Sequence, residues 1–138
     1  SARRLTQSIL QIIDMLDIYR AELARVLHIH CDEVGFLAEG KRNLVPDTDA
    51  WNQAVLFVRF YEALFAYCMG DGVAMCHWLR SENKDLKGVP MLLIVDDDKL
   101  SMVVGFLEKS LDARHSGDSG GTYDRLVKWT KNRLKKMH

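Results

Sequence analysis

Apolar positions recur at helical spacing along most of this chain. Leu5, Ile9, Ile12, Ile13 and Leu16 fall on one face of a first helix, with Thr6 or Ser8 as its expected cap. Leu23, Val26 and Leu27 mark a second helix over residues 19–27, which His28–His30 interrupts. Asp32 is placed to cap a third, with Val34, Phe36 and Leu37 inward, and Gly40 stops it. Pro46, Asp47, Thr48 and Asp49 then cap a long helix over 50–69. Its stripe of Trp51, Ala54, Val55, Val58, Leu64, Phe65 and Cys68 is widened by Phe57, Phe60 and Tyr61. Gly70 and Gly72 end it. Further helices are predicted over 73–79 and 98–111, the latter with Leu100, Val103, Val104 and Leu107 inward. Residues 92–95 form a lone strand-like run, too short and too close to Pro90 to build a sheet. The predicted fold class is therefore all-α.

The breadth of the 50–69 stripe exceeds what one small core needs, and this predicts a homodimer. A length of 138 residues at 48% apolar content is enough to bury one core. No apolar run is long enough to span a membrane, and the chain opens on no basic-then-apolar leader. Cys31, Cys68 and Cys76 are odd in number and form no C-x-x-C pair. Reduced thiols in a cytoplasmic setting follow.

The formal net charge of zero conceals an asymmetry. Residues 1–124 hold 13 Lys/Arg against 19 Asp/Glu, whereas residues 125–138 hold six basic residues and no acid. Residues 113–124 read as a linker, with H-S-G-D-S-G-G-T at its centre. The segment after it is predicted to be an amphipathic helix, with Leu126, Val127 and Leu134 on a weakly apolar stripe. Lys128, Lys131, Lys135 and Lys136 lie opposite, with Trp129 at their edge. That pattern suits docking on the protein, contact with nucleic acid or binding to an acidic partner, and the expectation is that the apolar stripe docks with the basic face left outward for DNA phosphates.

The most specific stretch is residues 78–90, W-L-R-S-E-N-K-D-L-K-G-V-P. It begins as a helix and ends as a tight turn, where Gly88 permits a positive φ and Pro90 biases Val89 away from the α region. The pattern W-L-x-x-x-N-x-x-L-x-G, then Pro and L-L-I, resembles the toxin-binding domain of the MbcA/ParS/Xre antitoxins. Glu82 stands where that family has Pro, Lys87 replaces its first Gly, and Pro90 comes one residue early. The run A-E-L-A-R-V-L-H-I-H-C-D-E-V-G-F-L-A-E-G-K-R likewise resembles an Xre-type helix-turn-helix, with His28 where Gly is usual.

The resemblance implies a helix-turn-helix bundle over residues 1–70, a toxin-binding domain over 71–112, the linker, and the basic tail over 125–138. It implies an antitoxin that binds and neutralises a RES-like, NAD-using toxin and binds operator DNA to repress its own operon. Trp78, Arg80, Asn83, Lys84, Leu86, Gly88 and Pro90 would form the toxin-binding region, with Arg80, Asn83 and Lys84 reaching outward. Lys41, Arg42 and Asn43, with Lys128, Trp129, Lys131, Lys135 and Lys136 of the tail, are the DNA-binding candidates. Asp32 and Glu33 open the third helix with two carboxylates that face a phosphate backbone badly. A structural helical pair and a DNA-binding one therefore both remain open, as do a stand-alone DNA-binding regulator and a helical dimeric adaptor.

No catalytic constellation is present. The chain lacks G-x-S-x-G, H-E-x-x-H, P-loop and dinucleotide motifs, so no enzyme activity and no cofactor are expected. Asp96, Asp97 and Asp98 read as a helix start rather than a cation site, and Cys68, Cys76 and His77 lack zinc spacing. Trp78 is expected to wedge the 73–79 helix against the 98–111 helix.

Overall fold

A computed structural model describes residues 1–117. Seven helices account for the fold: α1 (Ala2–Met15), α2 (Arg20–Leu27), α3 (Cys31–Ala38), α4 (Asp49–Tyr67), α5 (Gly72–Arg80), α6 (Pro90–Val95) and α7 (Leu100–Gly117). No strand occurs among the described residues; one isolated bridge joins Asn83 and Gly88. The all-α expectation holds. No described helix is long and apolar enough to cross a membrane.

α4 is the axis of the molecule. Phe57, Phe60, Tyr61, Ala63, Leu64, Phe65 and Ala66 are all buried, so the helix is apolar around most of its circumference. α7 packs along it most extensively, and α1, α2 and α5 cover its other sides. Most of the broad stripe that suggested a homodimer is buried within one chain, while Val55 stays exposed and Trp51 and Cys68 are half-buried. Residues on both sides of position 70 share one continuous core, from Leu5 of α1 to Leu111 of α7.

Local chemistry explains most boundaries. Thr48 caps α4, its hydroxyl accepting from the Trp51 amide at 3.2 Å, and Asp71 caps α5 through the Ala74 amide at 3.1 Å. Gly40 and Gly70, at φ +75° and +76°, let the chain leave α3 and α4 in the left-handed conformation. The first helix starts earlier than expected. Ser1 caps it, and Thr6 and Ser8 instead lie buried within it, donating to the carbonyls of Ala2 and Arg4. Asp32 lies in the first turn of α3, whose cap position is His30.

Two elements differ from expectation. Residues 92–95 belong to a helix, α6, with Pro90 at its first position, where a missing N–H costs nothing. Four apolar residues in a row cannot distinguish a buried helix from a strand by period alone. α7 runs to Gly117, so part of the segment read as linker is helical. The remaining linker and the predicted tail helix lie outside the described residues.

Thr6 also joins distant parts of the chain. Its hydroxyl accepts from the buried Leu44 amide at 3.0 Å, fixing the segment between α3 and α4 against α1. Thr6→Val keeps the side-chain shape but strands that amide. It should destabilise the fold by about 1–3 kcal/mol, measured as a lower urea midpoint with unchanged slope.

Candidate functional site

Residues 81–89 form a loop between α5 and α6 that holds itself together. The amides and carbonyls of Asn83 and Gly88 bond reciprocally, at 2.8 and 3.2 Å. The Asn83 side-chain oxygen accepts from the amides of Asp85 and Leu86, at 2.9 and 3.0 Å. One Asn thus closes the turn twice, through backbone and side chain. Asn83 is therefore a loop-forming residue and does not reach outward. The positive φ sits at Lys87 (+59°) and not at Gly88. At Gly88 an added Cβ would rest in ordinary van der Waals contact with the Leu93 side chain at 3.5 Å, so space does not require glycine there.

The other residues of the stretch divide into support and surface. Pro90 is buried, and Leu86 is half-buried against the core. Trp78 is half-buried and meets the Tyr67 ring at the end of α4 edge-on, with centroids 6.0 Å apart. Its ring contact is thus with α4, where the expectation set it against the 98–111 helix. Its indole Nε1 is buried without a hydrogen-bond partner. Arg114 of α7 reaches the same Tyr67, its guanidinium 4.1 Å from the ring centroid and bonded to the Tyr67 carbonyl. A cleft of about 450 Å³ opens beside Trp78, bounded by Cys68, His77, Ser81, Glu82 and Asn83. Lys84 is exposed, together with Glu82, Asp85 and Lys87. The Cys68 thiol is pushed up to about 11 by burial, and burial also raises Cys76, so neither is an activated nucleophile.

Arg80 does not reach outward either. Its guanidinium forks onto Glu22 of α2 at 2.8 and 2.9 Å and donates to the Asp17 carbonyl at 3.1 Å. Glu22 also accepts from the Tyr19 amide at 2.9 Å, stabilising the start of α2. The hydrogen bond from Arg80 holds the Glu22 carboxyl below its ordinary value. The base of the loop is thereby tied to the α1–α2 corner. Sequence gave no sign of this pair, because its partners are 58 positions apart.

The α2–α3 pair carries the second group of candidates. His28 sits in the left-handed conformation (φ +60°) at the end of α2, a position where His is tolerated better than most residues. Lys41 pairs with Glu39 at 2.9 Å, and the Arg42 guanidinium lies 4.8 Å from the Phe36 ring centroid. Asn43 is exposed at the edge of a groove between α3 and α4. The exposed start of α3 presents Cys31, Asp32 and Glu33. Lys128, Trp129, Lys131, Lys135 and Lys136 lie outside the described residues. No group of three acidic, His or Cys side chains among the described residues is arranged to hold a metal ion.

His28 itself has a role that sequence did not reveal. Its Nδ1 bonds Asp49 at the start of α4, and its Nε2 bonds Asp98 before α7 at 2.8 Å. Two carboxylate partners require both ring nitrogens to donate, so the imidazolium is the form that fits. Asp96 pairs with Arg25 alongside, at 2.8 Å. Asp96 and Asp98 thus clip the α6–α7 turn to α2.

No protein-family model matches the chain, and a search of curated proteins gives no significant match. The site therefore rests on its own geometry.

The bonds to Asp98 and Asp49 raise the His28 pKa above its ordinary 6.5. The stability His28 contributes is full below about pH 6.5 and is lost as pH rises through the higher folded-state value. The melting temperature should fall in the wild type as pH rises above about 6.5. His28→Asn, which keeps a residue suited to positive φ, should flatten that dependence in thermal melts across the same range.

Proposed function

We propose that this chain is an antitoxin-type protein that binds a partner toxin of the RES-like, NAD-using class through the loop between α5 and α6. The observation that carries the proposal is the self-closed geometry of that loop. Asn83 fixes its turn, Trp78, Leu86 and Pro90 support it from beneath, and Glu82, Lys84, Asp85 and Lys87 stand exposed around it. A loop already ordered in the free protein loses little conformational entropy on association, which favours a protein-binding role. The W-L-x-x-x-N-x-x-L-x-G pattern supports the same assignment, since its Asn is the residue that makes the turn.

Operator binding is the second part of the proposal. The short turn between α2 and α3, with its left-handed His28, favours a helix-turn-helix. The charge does not: Lys41 is paired, Arg42 stacks on Phe36, and α3 opens with two carboxylates. Partner binding is accordingly the stronger function, and a helical adaptor is the alternative should no toxin exist.

The test is co-purification and growth rescue with a RES-domain toxin encoded beside this chain. Lys84→Glu combined with Asp85→Lys should weaken the complex at least about tenfold while shifting stability by no more than about 0.5 kcal/mol, because both side chains are exposed. Undiminished binding by the double variant, or toxicity unaffected by the wild-type chain, would remove the loop or the toxin from the proposal.

A further inference from the structure

A groove of about 370 Å³ separates α3 from the start of α4. Leu37 and Leu44 are buried at its floor, Ile29 is half-buried, and Val45 at the rim is 62% exposed. Glu33 and Asp49 line it, Asp32 and Asp47 lie beside them in sequence, and all four are exposed. Two cations, Arg42 and His28, also line it. Arg42 lies over Phe36, and His28 is held between Asp49 and Asp98. The groove thus combines uncovered apolar surface with a negative excess that Asp32 and Asp47 beside it supply. An occupant with apolar side chains and several positive charges would match both.

We propose that this groove is a docking site for the chain's own basic segment, residues 125–138. That segment holds six Lys/Arg, no Asp or Glu, and the apolar residues Leu126, Val127, Trp129 and Leu134. Its charge complements residues 1–124, where 19 acids face 13 Lys/Arg. The chain path permits the contact. The His28–Asp98 bond sets the start of α7 beside the groove. The 18 residues of α7 carry the chain about 27 Å away at 1.5 Å per residue. Residues 118–125 can span up to about 29 Å when fully extended, enough to return. A tethered segment also meets its site at millimolar effective concentration, an advantage that no separate basic partner shares. Nucleic acid is the poorer occupant, because its phosphates would meet the same four carboxylates.

Zero-length carbodiimide cross-linking of the full chain, read by mass spectrometry, tests this. Lys128, Lys131, Lys135 and Lys136 should link to Asp32, Glu33 and Asp47 within one chain, at a yield independent of protein concentration. The links should fade in about 1 M salt, where the screening length falls to about 3 Å. As a second readout, Lys128, Lys131, Lys135 and Lys136 changed together to Gln should shift the amide resonances of Ile29, Glu33 and Val45 and leave those of the 81–89 loop in place. Links spread evenly to Asp14, Glu62 and Glu82 would overturn the proposal. So would links that form only between copies, or tail lysines that lose reactivity only when duplex DNA is added.

Discussion

A nineteen-residue helix that is apolar on nearly every side has to be surrounded, and that requirement organises the molecule. α4 cannot serve as a surface helix, because Phe57, Phe60, Leu64 and Phe65 point in different directions and each needs cover. α7 supplies most of it, α1 and α2 supply the opposite side, and α5 closes the end. Because α1 and α7 come from opposite ends of the described chain, the core forms only when the two are brought together. Burial of about 25 cal/mol for each Å² of apolar surface drives that assembly, but it does not dictate which helix ends meet.

The polar contacts between distant helix ends supply that orientation. Arg59 forks onto Glu108 and fixes α4 against α7. Arg80 forks onto Glu22, while His28 spans Asp49 and Asp98. All four contacts are at least partly exposed, so each contributes modestly to stability. Their value lies in direction. A bidentate guanidinium–carboxylate pair admits few relative orientations of the helices that carry it. The α5–α6 loop inherits its position from Arg80 in this way, since the loop begins at the next residue.

The sequence made the long helices legible, because their stripes repeat over several turns and end at Gly40, Gly70 or Thr48. It failed where an element was too short to show a period, as in α6, or where side-chain chemistry had two uses. Thr6 and Ser8 are good capping residues in general, yet here they bond back within the helix. The candidate loop was recognisable from W-L-x-x-x-N-x-x-L-x-G, but the roles inside it were not. Polar type suggested that Arg80 and Asn83 face a partner, whereas each satisfies this chain's own groups. The positive φ was assigned to Gly88 on composition, although the turn places it at Lys87. An added Cβ at Gly88 would simply touch Leu93, a neighbour that α6 brings back to the loop. Contacts of this kind, like that of Glu22 with Arg80, depend on tertiary proximity and leave no periodic trace.

The two surfaces that carry the proposals have opposite characters, and the difference follows from where the charges are spent. Around the 81–89 loop, Arg80 is consumed at the base, which leaves the mixed charges of Glu82, Lys84, Asp85 and Lys87 for recognition. Mixed charge on a rigid loop favours a specific partner over a uniform polyanion, since wrong pairings there are repulsive. At the α3–α4 end, Lys41, Arg42, Arg25 and His28 are each engaged by a carboxylate or a ring. The exposed residue of that accounting is acidic, in a place where a phosphate backbone requires the reverse. A basic segment is what such a surface can accept, and the chain supplies one in residues 125–138. If that segment occupies the groove, the helix pair most similar to a DNA-binding unit would be covered by the chain's own cations. Access of nucleic acid to α3 would then depend on displacing them.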